Sequence, residues 1–295
     1  MYIYAINHLP HPQFLAHAFE KKDVSQYPED QPKTRSQIEI FHHVLGSDSV
    51  LHIRSVWHPL IKTPNDIVAT SPTAFFVTND HFYATGSMRQ LEDVFHGAKW
   101  SDTVFVEIQG PLKPVADSGE SVTADTALTG LHNNNGLGIG RTAGELAIGS
   151  AASGALHLGK VVNGSKIEVI DTVGVDSCID NPSYYADPYP LEGTDKSGFV
   201  LGGLSRAIDM SKTTKDPTGI DPIMVWLASP LGDVTSKPEK WAKELLFEDD
   251  GGRLRSASSA VLVGIDPKLE GGEKKAWLFA TGFISKSILA VKIRL

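Results

Sequence analysis

Apolar and polar positions alternate with a period of two along many short runs of this chain, the pattern of a strand with one face buried. Gln37-Ile38-Glu39-Ile40-Phe41, Val50 to Trp57, Ala74 to Val77 and Thr103 to Ile108 are short runs rich in β-branched and aromatic residues, and several of the runs alternate in this way. Glu145 to Ile148, Leu156 to Val161, Lys166 to Ile170 and Pro222 to Ala228 continue the series, followed by Ala260 to Ile265, Ala276 to Ala280 and Ile288 to Ile293. A further strand is expected from the second residue, over Tyr2 to Asn7. Helical spacing is confined to Arg89 to His96 and Lys237 to Leu246. So many strands with no interleaved helices exclude Rossmann and TIM architectures and leave a sandwich, a barrel or a propeller.

Length and composition narrow this only a little. At roughly 40–50 residues per four-stranded blade, the 295 residues have room for about six. Turn-rich stretches at residues 22–36, 110–130, 182–197 and 211–221 read as long loops on one scaffold, so a single domain over 1–295 is expected. The formal charge of −8 comes without a basic stripe, which removes phosphate-backbone binding and hence nucleic acid as a partner. No apolar run approaches the length of a membrane-spanning helix. Cys178 is the single cysteine, so no internal disulfide forms, and the N-terminus lacks the basic start and apolar core of a signal peptide. Neither feature fixes a compartment. Asn163-Gly164-Ser165 is a weak glycosylation sequon. Because the chain opens on a strand, it is expected to continue a sheet begun elsewhere.

Familiar catalytic signatures are missing. There is no G-x-S-x-G elbow and no H-E-x-x-H, and Gly136 to Gly140 does not follow the dinucleotide-binding spacing. His42 and His43 are adjacent on a strand and point to opposite faces, so they cannot share a ligand. What stands out is a set of Asn and Asp dipeptides beside strands: Asn65-Asp66, Asn135-Gly136 and Asp180-Asn181. Such residues are the commonest turn formers. Their carboxylate and amide oxygens are equally the hard donors that calcium collects. The residues alone leave both readings open.

A resemblance shifts the balance toward calcium. Thr63-Pro64-Asn65-Asp66-Ile67-Val68, then Thr78-Asn79-Asp80-His81-Phe82-Tyr83, then Trp100, closely resemble the paraoxonase/arylesterase family, with its N-D-I-V run and T-x-D-H-Y segment. Ile6-Asn7-His8 and Ile38-Glu39-Ile40-Phe41 resemble that family's V-N-H and V-E-I-F strands at matching spacing, and Asn135-Gly136 and Asp180-Asn181 match two further positions. The resemblance implies a six-bladed β-propeller holding two calcium ions. Asn65, Asn135, Asp180 and Asn181 would hold the catalytic ion and Asp66 the structural one. His8 would belong to the water-activating dyad, and Asp80 and His81 to the pocket wall. The implied activity is hydrolysis of aryl esters or lactones, with phosphotriesters as a further class, through a carbonyl or phosphoryl oxygen polarised by the metal. Histidine, whose ordinary pKa lies near 6.5, takes a proton from water at neutral pH.

The chain also departs from the family. Its adjacent acidic pair, one carboxylate to each calcium, and its S-P-H-G-I segment with the second dyad histidine have no counterpart here. The family's closing disulfide is absent too; its C-terminal cysteine aligns near Val291. The expectation is therefore an N-terminally incomplete propeller with weakened calcium binding. A non-catalytic propeller that binds a partner, and a gluconolactonase-like or strictosidine-synthase-like propeller, are the alternative readings.

Overall fold

Runs of β-branched and aromatic residues lie flat on a pleated sheet and crowd a helix, and here they give eighteen strands among the described residues. The computed structural model describes residues 1–295 apart from 22, 29–30, 96, 191–194 and 232–239. The chain divides into two compact units, Met1–Asn134 with Asn163–Lys166, and Asn135–Val162 with Ile167–Leu295.

In the first unit β1 (Tyr2–Asn7), β2 (Gln37–His43) and β3 (Val50–Val56) form one antiparallel sheet. A second contains β4 (Pro64–Ser71), β5 (Ala74–Asn79), β6 (Ser101–Ile108) and β7 (Val122–Leu131). The register sets Ile38 opposite Val56 and Ile6, and Phe75 opposite Val106. Those residues meet with Ile40, Val77 and Val104 in one buried cluster.

The second unit holds three sheets. They are β8 (Asn134–Ile139) to β11 through β9 (Glu145–Ser150), β10 (Ala155–Val162) and β11 (Lys166–Gly174); then β12 (Ser183–Tyr185), β13 (Gly198–Leu204), β14 (Ile223–Leu231) and β15 (Lys240–Asp249); then β16 (Ala257–Ile265), β17 (Lys275–Gly282) and β18 (Leu289–Arg294). Each of the five sheets is built from strands consecutive in sequence, the construction of a propeller blade. The all-β propeller class therefore fits, and five sheets, not six, stand among the described residues.

Three strands are buried along their whole length: β5, β9 and β13. Such strands lose the alternation that marks a half-exposed sheet. In β13 the two central glycines carry the packing: a Cβ on Gly203 would stand 1.9 Å from the Cys178 carbonyl oxygen, so only glycine lets the two backbones touch.

The sequence pattern differs from the structure at identifiable places. Lys237 to Leu246 was expected to be helical; residues 237–239 lie outside the described residues, and Lys240–Asp249 is a strand paired with β14 over its full length. Its lysines and glutamates give helical spacing, but the ladder with β14 satisfies its backbone. The expected 110–130 loop ends in β7, whose Thr- and Gly-containing outer edge hides its alternation. Conversely α1 (Pro12–Lys21) was unforeseen, although proline at its first turn suits a helix start. The Arg89–His96 helix is present as α2 (Ser87–Val94), with His96 outside the described residues, and a single turn α3 (Met210–Thr213) adds a third. No helix among the described residues is long and apolar enough to cross a membrane.

Leu201, in the middle of β13 and 1% exposed, tests how tightly the second unit is packed. Leu201→Ala is expected to cost about 2–5 kcal/mol, read as a lower urea midpoint with the slope of the transition unchanged.

Candidate functional site

In the second unit the structure joins two of the dipeptides. Asn135 lies in β8, and Asp180 and Asn181 follow the buried Ile179 on the way into β12. The Asp180 amide donates to the Gly202 carbonyl of β13 at 3.0 Å, and the Asn181 amide donates to the Ser258 carbonyl of β16 at 2.9 Å. Asn181 Nδ2 donates to Ser258 Oγ at 3.0 Å and Ser259 Oγ at 3.1 Å, which fixes the amide plane and turns its oxygen Oδ1 the other way. Beside Asn135, a Cβ on Gly136 would lie 2.3 Å from the Asp180 carbonyl oxygen and 2.6 Å from the Asn181 Cα. Glycine is required there because the β8 backbone rests on the Asp180-Asn181 backbone. Asn135, Asp180 and Asn181 are all half-buried.

In the first unit Asn65 and Asp66 open β4 and line a cleft of about 420 Å³ with Tyr4 and Ile6 of β1 and with Ile67 and Ala69. The Asp66 amide donates to Thr78 Oγ1 at 3.0 Å, and Asp66 Oδ1 accepts from the Ile67 amide at 2.8 Å. His8 stands two residues beyond Ile6. It is exposed, and its Nδ1 lies 3.2 Å from the hydroxyl of the buried Ser36. It is thus exposed and, among the described residues, held by a side chain and not by backbone.

Asp80 and His81 form a different centre in the same unit. His81 is 4% exposed, with Nδ1 2.9 Å from Asp80 Oδ1 and Nε2 2.7 Å from Asp93 Oδ1 of α2. Arg89 of α2 lies 3.4 Å from the other Asp80 oxygen. Burial by itself would lower the His81 pKa, but the two carboxylates raise it above the ordinary value. Burial would raise the Asp80 pKa, and the bond and charge of His81, with Arg89, hold it below the usual carboxylate range. Neither residue lines the Asn65-Asp66 cleft.

Asn65, Asn135, Asp180 and Asn181 with Asp66 are oxygen donors throughout, the kind calcium takes. Among the described residues no group of three or more His, Cys, Asp or Glu side chains could hold a metal. Each unit contributes one carboxylate to its donor group, Asp66 in the first and Asp180 in the second. The donors fit calcium in kind, with little negative charge to hold it.

Comparison with known proteins places the chain. The arylesterase family model matches residues 11–184, more than half of the sequence. The chain belongs to the arylesterase family. Within it, the chain is 26% identical over 152 residues to serum paraoxonase/arylesterase 1 of Rattus norvegicus, covering 52% of this chain and 39% of that protein. It is 34% identical over 76 residues to serum paraoxonase/arylesterase 1 of Mus musculus, covering 26% and 21%. The longest of these matches, 23% identical over 237 residues, is to serum paraoxonase/lactonase 3 of Oryctolagus cuniculus and covers 79% of this chain and 58% of that protein. The match thus spans between about a fifth and three fifths of the length of these relatives.

Family membership leaves several fastenings that sequence reading missed. Asn79, fully buried at the end of β5, accepts from the Lys62 and Thr63 amides at 2.9 and 3.0 Å and donates to the Leu60 carbonyl and Asp102 Oδ1 at 2.8 and 2.6 Å. Glu92, 3% exposed on an otherwise water-facing helix, accepts from the Phe82 and Tyr83 amides. A buried acid on α2 leaves no sequence signal beyond its place one residue from Asp93. Asn163 is exposed in the turn between β10 and β11, as a sequon asparagine must be to be reached.

Two tests follow. Gly136→Ala drives a methyl group into the Asp180 carbonyl, and overpacking of that kind is expected to cost about 3 kcal/mol, measured by thermal unfolding. The second concerns pH. A histidine whose folded pKa is raised stabilises fully below its unfolded value of about 6.5 and loses that contribution as pH rises through the folded pKa. The melting temperature is expected to fall over the range above pH 6.5, and His81→Asn is expected to flatten that fall.

Proposed function

We propose that this protein hydrolyses aryl esters or lactones with calcium as its cofactor, water as the nucleophile and His8 as the general base. The observation that carries the reading is the meeting of Asn135-Gly136 with Asp180-Asn181, backbone against backbone, in a chain that belongs to the arylesterase family. The names of the relatives, paraoxonase/arylesterase and paraoxonase/lactonase, support the substrate class. Phosphotriesters are a further class on the same reasoning. The reading takes the five sheets as blades of a six-bladed, single-domain propeller.

Asn135, Asp180 and Asn181 in the second unit and Asn65 and Asp66 in the first are the candidate calcium donors. When bound, calcium supplies Lewis acidity toward a carbonyl or phosphoryl oxygen and favours the charge that develops on it. The chain's own residues supply the rest. With Nδ1–H of His8 donating to Ser36 Oγ, Nε2 carries the lone pair that accepts the proton of the attacking water. The Ser258 and Ser259 hydroxyls hold the Asn181 amide so that its oxygen, not its nitrogen, is presented. Ile6 and Ile67 with the ring of Tyr4, whose hydroxyl is taken by the Ser71 and Pro72 carbonyls, give the cleft beside Asn65 one wall suited to an uncharged aryl or alkyl group.

Calorimetric calcium titration of the full chain, paired with turnover of an aryl acetate and a δ-lactone, tests the reading. Turnover is expected to vanish with a chelator and return with calcium, and His8→Gln is expected to lower kcat by roughly 10²–10⁴-fold. Turnover indifferent to the chelator, or no turnover at saturating calcium, would overturn it.

A further inference from the structure

The Asn65-Asp66 pair is fastened from both sides by side chains that never touch the cleft. Ahead of it, Asn79 holds the Lys62 and Thr63 amides, as described above. Behind it, Thr78 Oγ1 holds the Asp66 amide. The third fastening is a hydroxyl used twice: Thr63 Oγ1 donates to the His81 carbonyl at 2.5 Å and accepts from the His81 amide at 3.1 Å. The Asp80 amide closes the ladder on the Thr63 carbonyl at 3.1 Å.

The backbone of residue 81 is therefore part of the support of Asn65, and its own position is set by its imidazole. That ring is wedged between Asp80 of its loop and Asp93 of α2. The charged groups facing it are Asp80, Asp93 and Arg89, with Glu92 turned to the next two amides and Lys62 engaged 3.5 Å from Asp102. Asp93 is 53% exposed, so this is the one member of the chain of contacts that water can replace.

We propose that His81 is a positioning residue for Asn65 and Asp66, linking α2 through Thr63 to the opening of β4, and that its role is not contact with substrate. The inference rests on the reading of Asn65 and Asp66 as calcium donors only for its functional consequence; the link itself is geometric. Because both carboxylates favour the imidazolium, the clamp is tightest at the acid end of the neutral range.

The experiment compares the wild-type full chain with Asp93→Asn, His81→Asn and Thr63→Val, by hydrogen exchange at the Lys62, Thr63, Asn65 and Asp66 amides and by calcium calorimetry at pH 6 and pH 8.5. Losing one charge-assisted bond is expected to speed exchange at those amides about tenfold in Asp93→Asn and to weaken calcium binding by a similar factor. Wild-type calcium affinity is expected to fall between the two pH values, and His81→Asn to remove the step. Thr63→Val is expected to reproduce the faster exchange while α2 keeps its own protection, which separates positioning from general loosening. If the wild type binds no calcium, the functional reading fails, and exchange at Thr63 and Asp66 still decides the link. Unchanged exchange at these amides in folded Asp93→Asn and Thr63→Val would overturn it.

Discussion

Strands buried on both faces are the constraint from which the rest of this structure follows. Every residue of β5, β9 and β13 is shielded from water. A polar side chain in the middle of such a strand must find its partners inside the protein or cost the full penalty of desolvation. Polar side chains accordingly gather toward the strand ends. Asn65 and Asp66 lie in the first three residues of β4, Asn79 ends β5, Asn135 is the second residue of β8 and His8 follows β1, while Asp180 and Asn181 precede β12.

The same constraint explains how the strand ends are held. A loop beside a buried strand cannot lean on water, so its amides are taken by side chains. Asn79 uses both ends of its amide for four bonds, and Glu92 and Asp187 each gather two backbone amides. The buried acids Asp187 and Asp221 are paired with Lys274 and Arg255, and Arg255 goes on to the Thr213 and Asp216 carbonyls. Buried charges in this chain thus serve to pin excursions between strands. Arg54 is the contrast: it is almost fully buried, donates to the Glu120 carbonyl, and its Nε finds no partner among the described residues. Desolvation lowers its pKa, and the nearby Glu120 charge opposes that.

Wet and buried strands alike were legible in the sequence, the fully buried β5 and β9 included, and the reading fails where composition imitates another element. Strands with one wet face, such as β2 and β3, alternate and were read with nearly correct ends. The fully buried β13 is Gly-Phe-Val-Leu-Gly-Gly-Leu, and its glycines look like a turn until the Cys178 carbonyl is seen against Gly203. β15 is the reverse: its lysines and glutamates imitate a helix, and only its partner β14 decides the matter. Helix α2 was legible as a helix but not as a clamp, because Glu92 and Asp93 act on loop amides and on a histidine in another segment.

By itself the sequence determined the all-β class and the family, since strand-forming runs and the Asn-Asp motifs are local and survive at low identity. Tertiary structure decided which of those residues meet. Gly136 rests on the Asp180-Asn181 backbone because it has no Cβ, and Asp80 and His81 join α2 and Thr63 in place of the cleft. The physical reason is the same for both. Backbone approach and buried hydrogen bonds depend on partners distant in sequence, and no local pattern records the distance between them.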